Sequence, residues 1–192
     1  MPALDDTHRR AQRALQDRTG TAVAGLLAAI TLERSQQIRD AYATANSRLI
    51  AGGQQSAARL ALAYIAAYAP PTTPPDLVTA LAGTLITPDS PGAFVGLLRL
   101  WSLLDQDVPE PQARQQAGSY SANLSGGDLQ AAQRAGLDEA ARAAGRRPRW
   151  RKDPSPTACA WCQTIASGGA RYHSADSVPF HQSDHCSVSP EF

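Results

Sequence analysis

The sequence is short of bulky apolar residues, of lysine and of net charge. Leu, Ile, Val and Phe together number 34 of the 192 residues, against 36 alanines. Chains this poor in bulky residues are often disordered, but disorder also requires a large net charge, and this chain carries only +1. β-Branched and aromatic residues are too few to cover a large sheet. Because alanine is the best helix former, the composition predicts a mainly α fold.

Long hydrophobic runs are also missing. The run of apolar residues and glycine over residues 22–30 is well below the roughly 20 residues that span a bilayer. The acidic N-terminus has no apolar stretch of the kind found in secretory signals. We therefore expect a soluble protein that has no membrane partner and is not exported by an N-terminal signal. The near-neutral charge leaves only a local patch to attract nucleic acid.

The first half of the chain has the apolar spacing of helices. Steps of three and four residues run from residue 21 to about residue 50, as one helix or as two with a break near Thr31. Glycines at 52–53 predict a stop, and a further helix then ends at the prolines of residues 70–75. We expect these helices to form an antiparallel hairpin over about residues 5–69.

The second helical half covers about residues 76–145. Asp76 is placed to cap a helix, and a loop at residues 125–128 divides a weak helix over 112–124 from another over 129–144. The strongest apolar stripe of the chain lies between the helix that Asp76 caps and the weak helix over 112–124. It predicts a core helix with these residues on its apolar face: Phe94, Leu97, Leu98, Trp101 and Leu104.

The composition changes at Gly145. Residues 146–152 carry five positive charges, and prolines and cysteines follow without helical periodicity. We predict a helical body over residues 1–145 and a small, irregular C-terminal subdomain over 146–192. The basic segment is either a solvated connector or hairpin, or a surface that binds phosphates and stacks on a base. The residues of that nucleic-acid hypothesis are Arg146, Arg147, Arg149, Trp150, Arg151 and Lys152.

All three cysteines lie in this C-terminal segment. Cys159 and Cys162 are three residues apart, and His181 and Cys186 follow after a long spacer. Two thiolates from one turn and a second pair from a distant loop are typical of a tetrahedral structural zinc site. Zinc would also supply folding free energy to a segment too poor in apolar residues to form its own core.

The fourth ligand has alternatives. We rank His181 first, because Pro179 and Phe180 precede it, then His185, Asp184 and finally His173. The competing interpretation is that the cysteines are ordinary thiols and the histidines surface residues. A thioredoxin-like motif would need a strand–helix setting, and a zinc deaminase would need a His-x-Glu that this chain lacks. An Asp-His pair resembles part of an HNH nuclease, but few residues follow it.

The C-terminal third resembles the minor capsid proteins of tailed bacteriophages of actinobacterial hosts, the group related to Mu F-like head morphogenesis proteins. His181 takes the place of the family histidine and Cys186 that of the last cysteine, while Asp184 stands where the family has another cysteine. The motifs that carry the resemblance are residues 128–132, the arginine segment 146–152, Cys159-x-x-Cys162, Tyr172, residues 179–181 and residues 186–188.

The resemblance implies a minor head protein and not an enzyme. Such a protein would lie inside the virion head near the portal, having been assembled in the bacterial cytoplasm. It implies the portal or the major capsid protein as partner, phage DNA as a further partner, and no small-molecule substrate. The alternatives from the residues are a small zinc-dependent DNA-binding protein and a truncated HNH-like nuclease.

Overall fold

The computed structural model describes residues 2–154, 158–180 and 186–192, and helices make up most of this part of the chain. The mainly α prediction is therefore confirmed. In chain order the elements are α1 (Pro2–Ala29), α2 (Gln36–Tyr68), α3 (Leu77–Leu81), a 3-10 turn (Pro91–Ala93), α4 (Val95–Leu104), α5 (Glu110–Ala143), β1 (Arg149–Asp153), α6 (Ala160–Ser167) and β2 (Ser187–Glu191).

Three long helices, α1, α2 and α5, form the frame. Thr19 of α1 lies against Gly53 of α2, and Ala24 of α1 lies against Gly118 of α5. Small residues at these crossings let the backbones approach closely, which is how an alanine-rich chain buries enough surface without many bulky side chains. Farther along the same frame, Leu27, Tyr42 and Leu97 belong to one buried cluster.

The predicted break near Thr31 is confirmed, because α1 ends at Ala29 and α2 begins at Gln36. Ser35 caps α2 by accepting a hydrogen bond from the backbone N–H of Ile38. Across the bundle, the Arg114 guanidinium donates to the carbonyl oxygens of Leu27 at 2.6 Å and Ile30 at 3.0 Å. These carbonyls have no partner within α1, so the arginine stabilises the end of the helix.

The predicted interruptions at residues 52–53 and 125–128 are wrong. Both segments lie inside continuous helices, α2 and α5. A glycine costs a helix only about 1 kcal/mol relative to alanine, and packing along a long helix outweighs that cost. At Gly53 the glycine is used for packing, since a Cβ there would lie 2.9 Å from the Thr19 hydroxyl.

The shorter elements follow the sequence more closely. Asp76 caps α3 by accepting from the Thr79 N–H at 3.0 Å, as predicted. The apolar stripe does form a core helix, α4, but its buried face is Leu97, Leu100 and Leu103. Leu98 is 43% exposed, so its predicted place on the buried face of the helix is wrong.

A matched pair of glycines in α5 tests this close packing. A Cβ on Gly136 would lie 2.8 Å from the Ala58 Cα and 3.0 Å from its carbonyl oxygen, whereas one on Gly126 meets nothing within 4 Å. We expect Gly136→Ala to lower the free energy of unfolding by about 1–3 kcal/mol, because α2 and α5 must separate. Gly126→Ala should raise it by up to about 1 kcal/mol through helix propensity. Urea denaturation of both variants measures the difference, and a stabilised Gly136→Ala would contradict the close approach.

The C-terminal segment is more regular than predicted. β1 and β2 form an antiparallel ribbon in which Trp150 pairs with Pro190 and Lys152 with Val188, and α6 contacts β1. Tyr172 adds an isolated bridge, with Trp150 and Tyr172 exchanging backbone hydrogen bonds of 2.9 and 2.8 Å. The expectation of an irregular subdomain is therefore corrected for the residues that the structure describes.

This ribbon shares a hydrophobic core with the helices. Trp150, Val178 and Val188 from the C-terminal segment belong to the same buried cluster as Ile65 of α2 and Leu137 of α5. Burial of apolar area stabilises by about 25 cal/mol per Å². The few apolar residues of the segment are thus stabilised against the helical body, a source of stability that does not depend on a metal.

Candidate functional site

The C-terminal segment, residues 146–192, contains the predicted metal-binding and nucleic-acid-binding residues. Its first strand has a two-residue alternation: Trp150 and Lys152 point inward and are 1% and 3% exposed, while Arg149 is exposed. A strand places successive side chains on opposite faces, so the basic segment is divided between core and surface. The structure therefore corrects the expectation that Trp150 stacks on a base.

Lys152, the one lysine of the sequence, is buried among aromatic rings. Its ammonium nitrogen donates to the carbonyl oxygen of Pro179 at 2.7 Å, and lies 4.2 Å from the centre of the Phe180 ring and 5.2 Å from that of Trp161. Cation–π contacts and a carbonyl acceptor compensate the charge for lost hydration. Lys152 thus joins β1 to α6 and to the loop before β2, and it is not part of an exposed phosphate-binding surface.

The cysteines lie on these same elements. Cys159 is the N-cap residue of α6 and exposed, Cys162 is buried in the first turn of α6, and Cys186 is buried directly before β2. Because β2 pairs with β1 and α6 contacts β1, the three cysteines stand on contiguous elements. The Ser187 hydroxyl donates to the Asp153 carboxylate at 3.2 Å, which fixes the start of β2 beside the end of β1.

The predicted fourth zinc ligand and its first two alternates, His181, His185 and Asp184, lie outside the described residues. Within the described ranges, no group of three or more Cys, His, Asp and Glu side chains is arranged to hold a metal ion. Thiolate sulfur is nonetheless the ligand that zinc prefers, and two of the three cysteines are buried. The zinc site therefore stays a prediction.

His173, the lowest-ranked alternate, has another partner. A guanidinium nitrogen of Arg149 lies 2.6 Å from its Nδ1 and 2.9 Å from its Nε2. The imidazole therefore contacts the Arg149 guanidinium on the outer face of β1. This contact assigns His173 to the basic surface and not to the cysteines.

That basic surface is concave. A cleft of about 630 Å³, here called the arginine cleft, lies between the end of α5 and the start of β1. Three of its members were not predicted from the sequence. Asp138 and Arg142 lie in α5, before the predicted boundary at Gly145, and His173 is distant in sequence from the charged segment. Its polar lining is Asp138, Arg142, Arg146, Arg147, Arg149 and His173.

Electrostatics in the cleft are dominated by the arginines. Arg142 pairs with Glu139 at 2.6 Å on the rim. Asp138 accepts hydrogen bonds from the backbone N–H groups of Ala175 at 2.8 Å and Asp176 at 3.3 Å. Burial raises the pKa of Asp138, and these two N–H groups oppose that shift. The Asp138 carboxylate is thus directed to the loop and does not neutralise the arginines.

A second polar cluster joins the N-terminus to the same region. Both Tyr64 and Tyr68 donate their hydroxyls to the Asp5 carboxylate, Tyr64 at 2.7 Å, and Tyr68 also contacts the Phe192 ring. His8 stacks on Tyr64 with ring centres 4.0 Å apart. Burial raises the pKa of Tyr64 and lowers that of His8 to about 4. This cluster is structural, since all its members contact one another or the core.

Membrane insertion has no support in the helices. In the part of the chain that the structure describes, none of them combines the length and apolar character that a bilayer span requires.

The geometry defines a class of protein: a bundle of long alanine-rich helices that carries a small cysteine-containing ribbon. Comparison with known families then identifies it, because a model described as VG15 protein matches residues 2–192. The chain belongs to the VG15 family, and the match places it among phage-encoded proteins. No curated protein and no solved structure matches it.

Proposed function

We propose that this protein is a minor head protein of a bacteriophage, a structural component of the virion that acts in head assembly and not as an enzyme. The observation that carries the proposal is the VG15 match over nearly the whole chain, residues 2–192. The motifs of the C-terminal third, which resemble minor capsid proteins, support it independently. The protein would assemble in the bacterial cytoplasm and lie inside the head near the portal.

The portal, the major capsid protein or both would be its protein partners, and packaged DNA a further one. Co-expression of the tagged full chain with the portal protein of its phage tests the first partner. The proposal expects the two proteins to co-purify through size-exclusion chromatography at a fixed ratio, with the major capsid protein as the parallel bait. Failure to associate with either bait would count against a head-assembly role.

We further propose that the C-terminal segment binds one structural zinc ion through Cys159, Cys162, Cys186 and His181. The placement of the cysteines at the start of α6 and directly before β2 supports this set. Zinc would hold α6 to the ribbon by closing the loop that runs from α6 to β2. His185 and Asp184 are the alternates for the fourth position.

Metal analysis tests the zinc site. Purified full-length protein should contain about one zinc per chain, since four ligands make one tetrahedral site. Cys159→Ala should abolish the zinc and lower the Tm, and His173→Ala should keep it. His181→Ala and His185→Ala, compared directly, identify the fourth ligand. Protein expressed with added zinc that holds none, and whose Tm does not respond to a chelator, would disprove the site.

The second candidate function is a small zinc-dependent DNA-binding protein that is not part of the particle. The exposed arginines at 146, 147 and 149 favour it. DNA binding by a protein absent from purified heads would select this candidate over the first.

A further inference from the structure

We propose that the arginine cleft binds the sugar–phosphate backbone of duplex DNA, with Arg146, Arg147 and Arg149 as the phosphate ligands. The choice of DNA as the polyanion rests on the proposed function, whereas the anion site rests on the structure. The cleft is assembled from three parts of the chain: the end of α5, the start of β1, and the loop that carries His173.

A defined backbone turn sets the positions of the arginines. α5 ends in a Schellman motif, in which the N–H of Arg146 bonds to the Ala141 carbonyl and that of Gly145 to the Arg142 carbonyl, each at 2.9 Å. Gly145 has a φ of +65°, which a glycine adopts without strain. The motif reverses the chain directly after α5, and it therefore fixes Arg146 and Arg147 beside the helix end.

The charges in the cleft are available to a ligand. In the described part of the chain, Arg146 and Arg147 are exposed and their guanidinium groups have no acidic partner. Arg149 is exposed and contacts the His173 imidazole at 2.6 Å, a contact that holds its guanidinium in place without a carboxylate. Arg151, by contrast, faces Glu191 at 3.7 Å, and we exclude it from the site.

The side chains present select backbone contacts over base contacts. Trp150 borders the cleft but is only 1% exposed, so the cleft offers no indole face on which an unpaired base would stack. The other ring of the lining, the His173 imidazole, is in contact with Arg149. A guanidinium group can bind two oxygens of one phosphate at the same time. Such a contact does not depend on the base sequence. The cleft therefore fits duplex DNA of any sequence better than single strands.

Fluorescence anisotropy with a labelled duplex of random sequence tests the cleft on the full-length protein. Three phosphate contacts predict that log K falls with log salt at a slope of about −2.7, or about 40-fold in affinity for a fourfold rise in salt. Arg146→Ala/Arg147→Ala/Arg149→Ala should flatten that slope almost completely. The matched control removes three exposed arginines of α1 (Arg10→Ala/Arg13→Ala/Arg18→Ala) and should keep most of the slope.

A single charge reversal, Arg147→Glu, guards against loss of folding in the triple variant, because Arg147 is exposed. It should weaken DNA binding at least tenfold with an unchanged Tm. Equal loss in the α1 control, unchanged binding in the cleft variants, or binding of polyglutamate as tight as of DNA would each overturn the inference. Incorporation of the protein into phage heads is measured separately. The proposal that the cleft binds DNA can then be disproved while the head-protein proposal stands.

Discussion

Trp150→Ala should lower the free energy of unfolding by about 3–5 kcal/mol, the largest effect expected of any single substitution in this chain. Trp150 is 1% exposed and fills the core that the ribbon shares with α2 and α5. Its removal leaves a cavity that two long helices cannot close by small shifts. Urea denaturation followed by circular dichroism measures the loss.

Trp161→Ala is the matched control for this measurement. Trp161 is 45% exposed and lies over the Lys152 ammonium nitrogen at 5.2 Å. Its truncation removes the same side chain from the surface together with one of the ring contacts of the buried Lys152, and should cost about 1–2 kcal/mol. Equal losses for the two tryptophans, or a small loss at Trp150, would show that the ribbon does not pack into the helical core.

Acidification should destabilise the protein through His8. Burial lowers the pKa of His8 to about 4 from its ordinary 6.5, against the opposing charge of Asp5. Between these two values the unfolded chain binds the proton more readily than the folded one. The His8 contribution is thus complete above about pH 6.5 and falls as the pH drops to about 4, by about 3 kcal/mol in total.

Other titratable groups also contribute to the pH dependence of stability, so the contribution of His8 has to be measured as a difference between two proteins. Asp5 of α1, Tyr64 of α2 and Gln133 of α5 face the ring, and elsewhere burial raises the pKa of Asp128 to about 6. Asp128 has the opposite effect on stability: because its pKa is raised in the folded state, acidification stabilises the protein through this group. The test is therefore the difference in unfolding free energy between the natural protein and His8→Phe across this pH range. A difference that does not change with pH would contradict the buried neutral imidazole.

The features of the fold that depend on interactions within a few residues could be predicted from the sequence. Alanine content, the proline block after Tyr68 and the Asp76 cap act within a few residues, and the structure agrees with each of them. The glycines at 52–53 and 126–127 predict breaks by local propensity, yet packing along the rest of α2 and α5 outweighs it, and at Gly53 the close approach of Thr19 in α1 uses the glycine directly. Close packing such as that of Gly136 on Ala58 depends on residues far apart in sequence, so no local pattern reveals it.

In the C-terminal segment, too, contacts between residues distant in sequence determine what the local pattern does not. The alternation of Arg149, Trp150, Arg151 and Lys152 is typical of a strand, but the charge of the segment favoured a solvated connector or hairpin. Pairing with residues 187–191, and burial of Trp150 against α2 and α5, decide the outcome. Arg142 joins the cleft because the chain reverses at Gly145, and His173 because Tyr172 pairs with Trp150; the second of these contacts spans more than 20 residues, so no local pattern reveals it.

Quantitative mass spectrometry of purified particles tests whether this VG15 protein is a structural part of the phage head. Procapsids and mature heads of the phage that encodes it should both contain the chain, in few copies relative to the major capsid protein and at a constant ratio to the portal. Particles with full complements of portal and major capsid protein that lack this chain, while infected cells contain it, would contradict the claim.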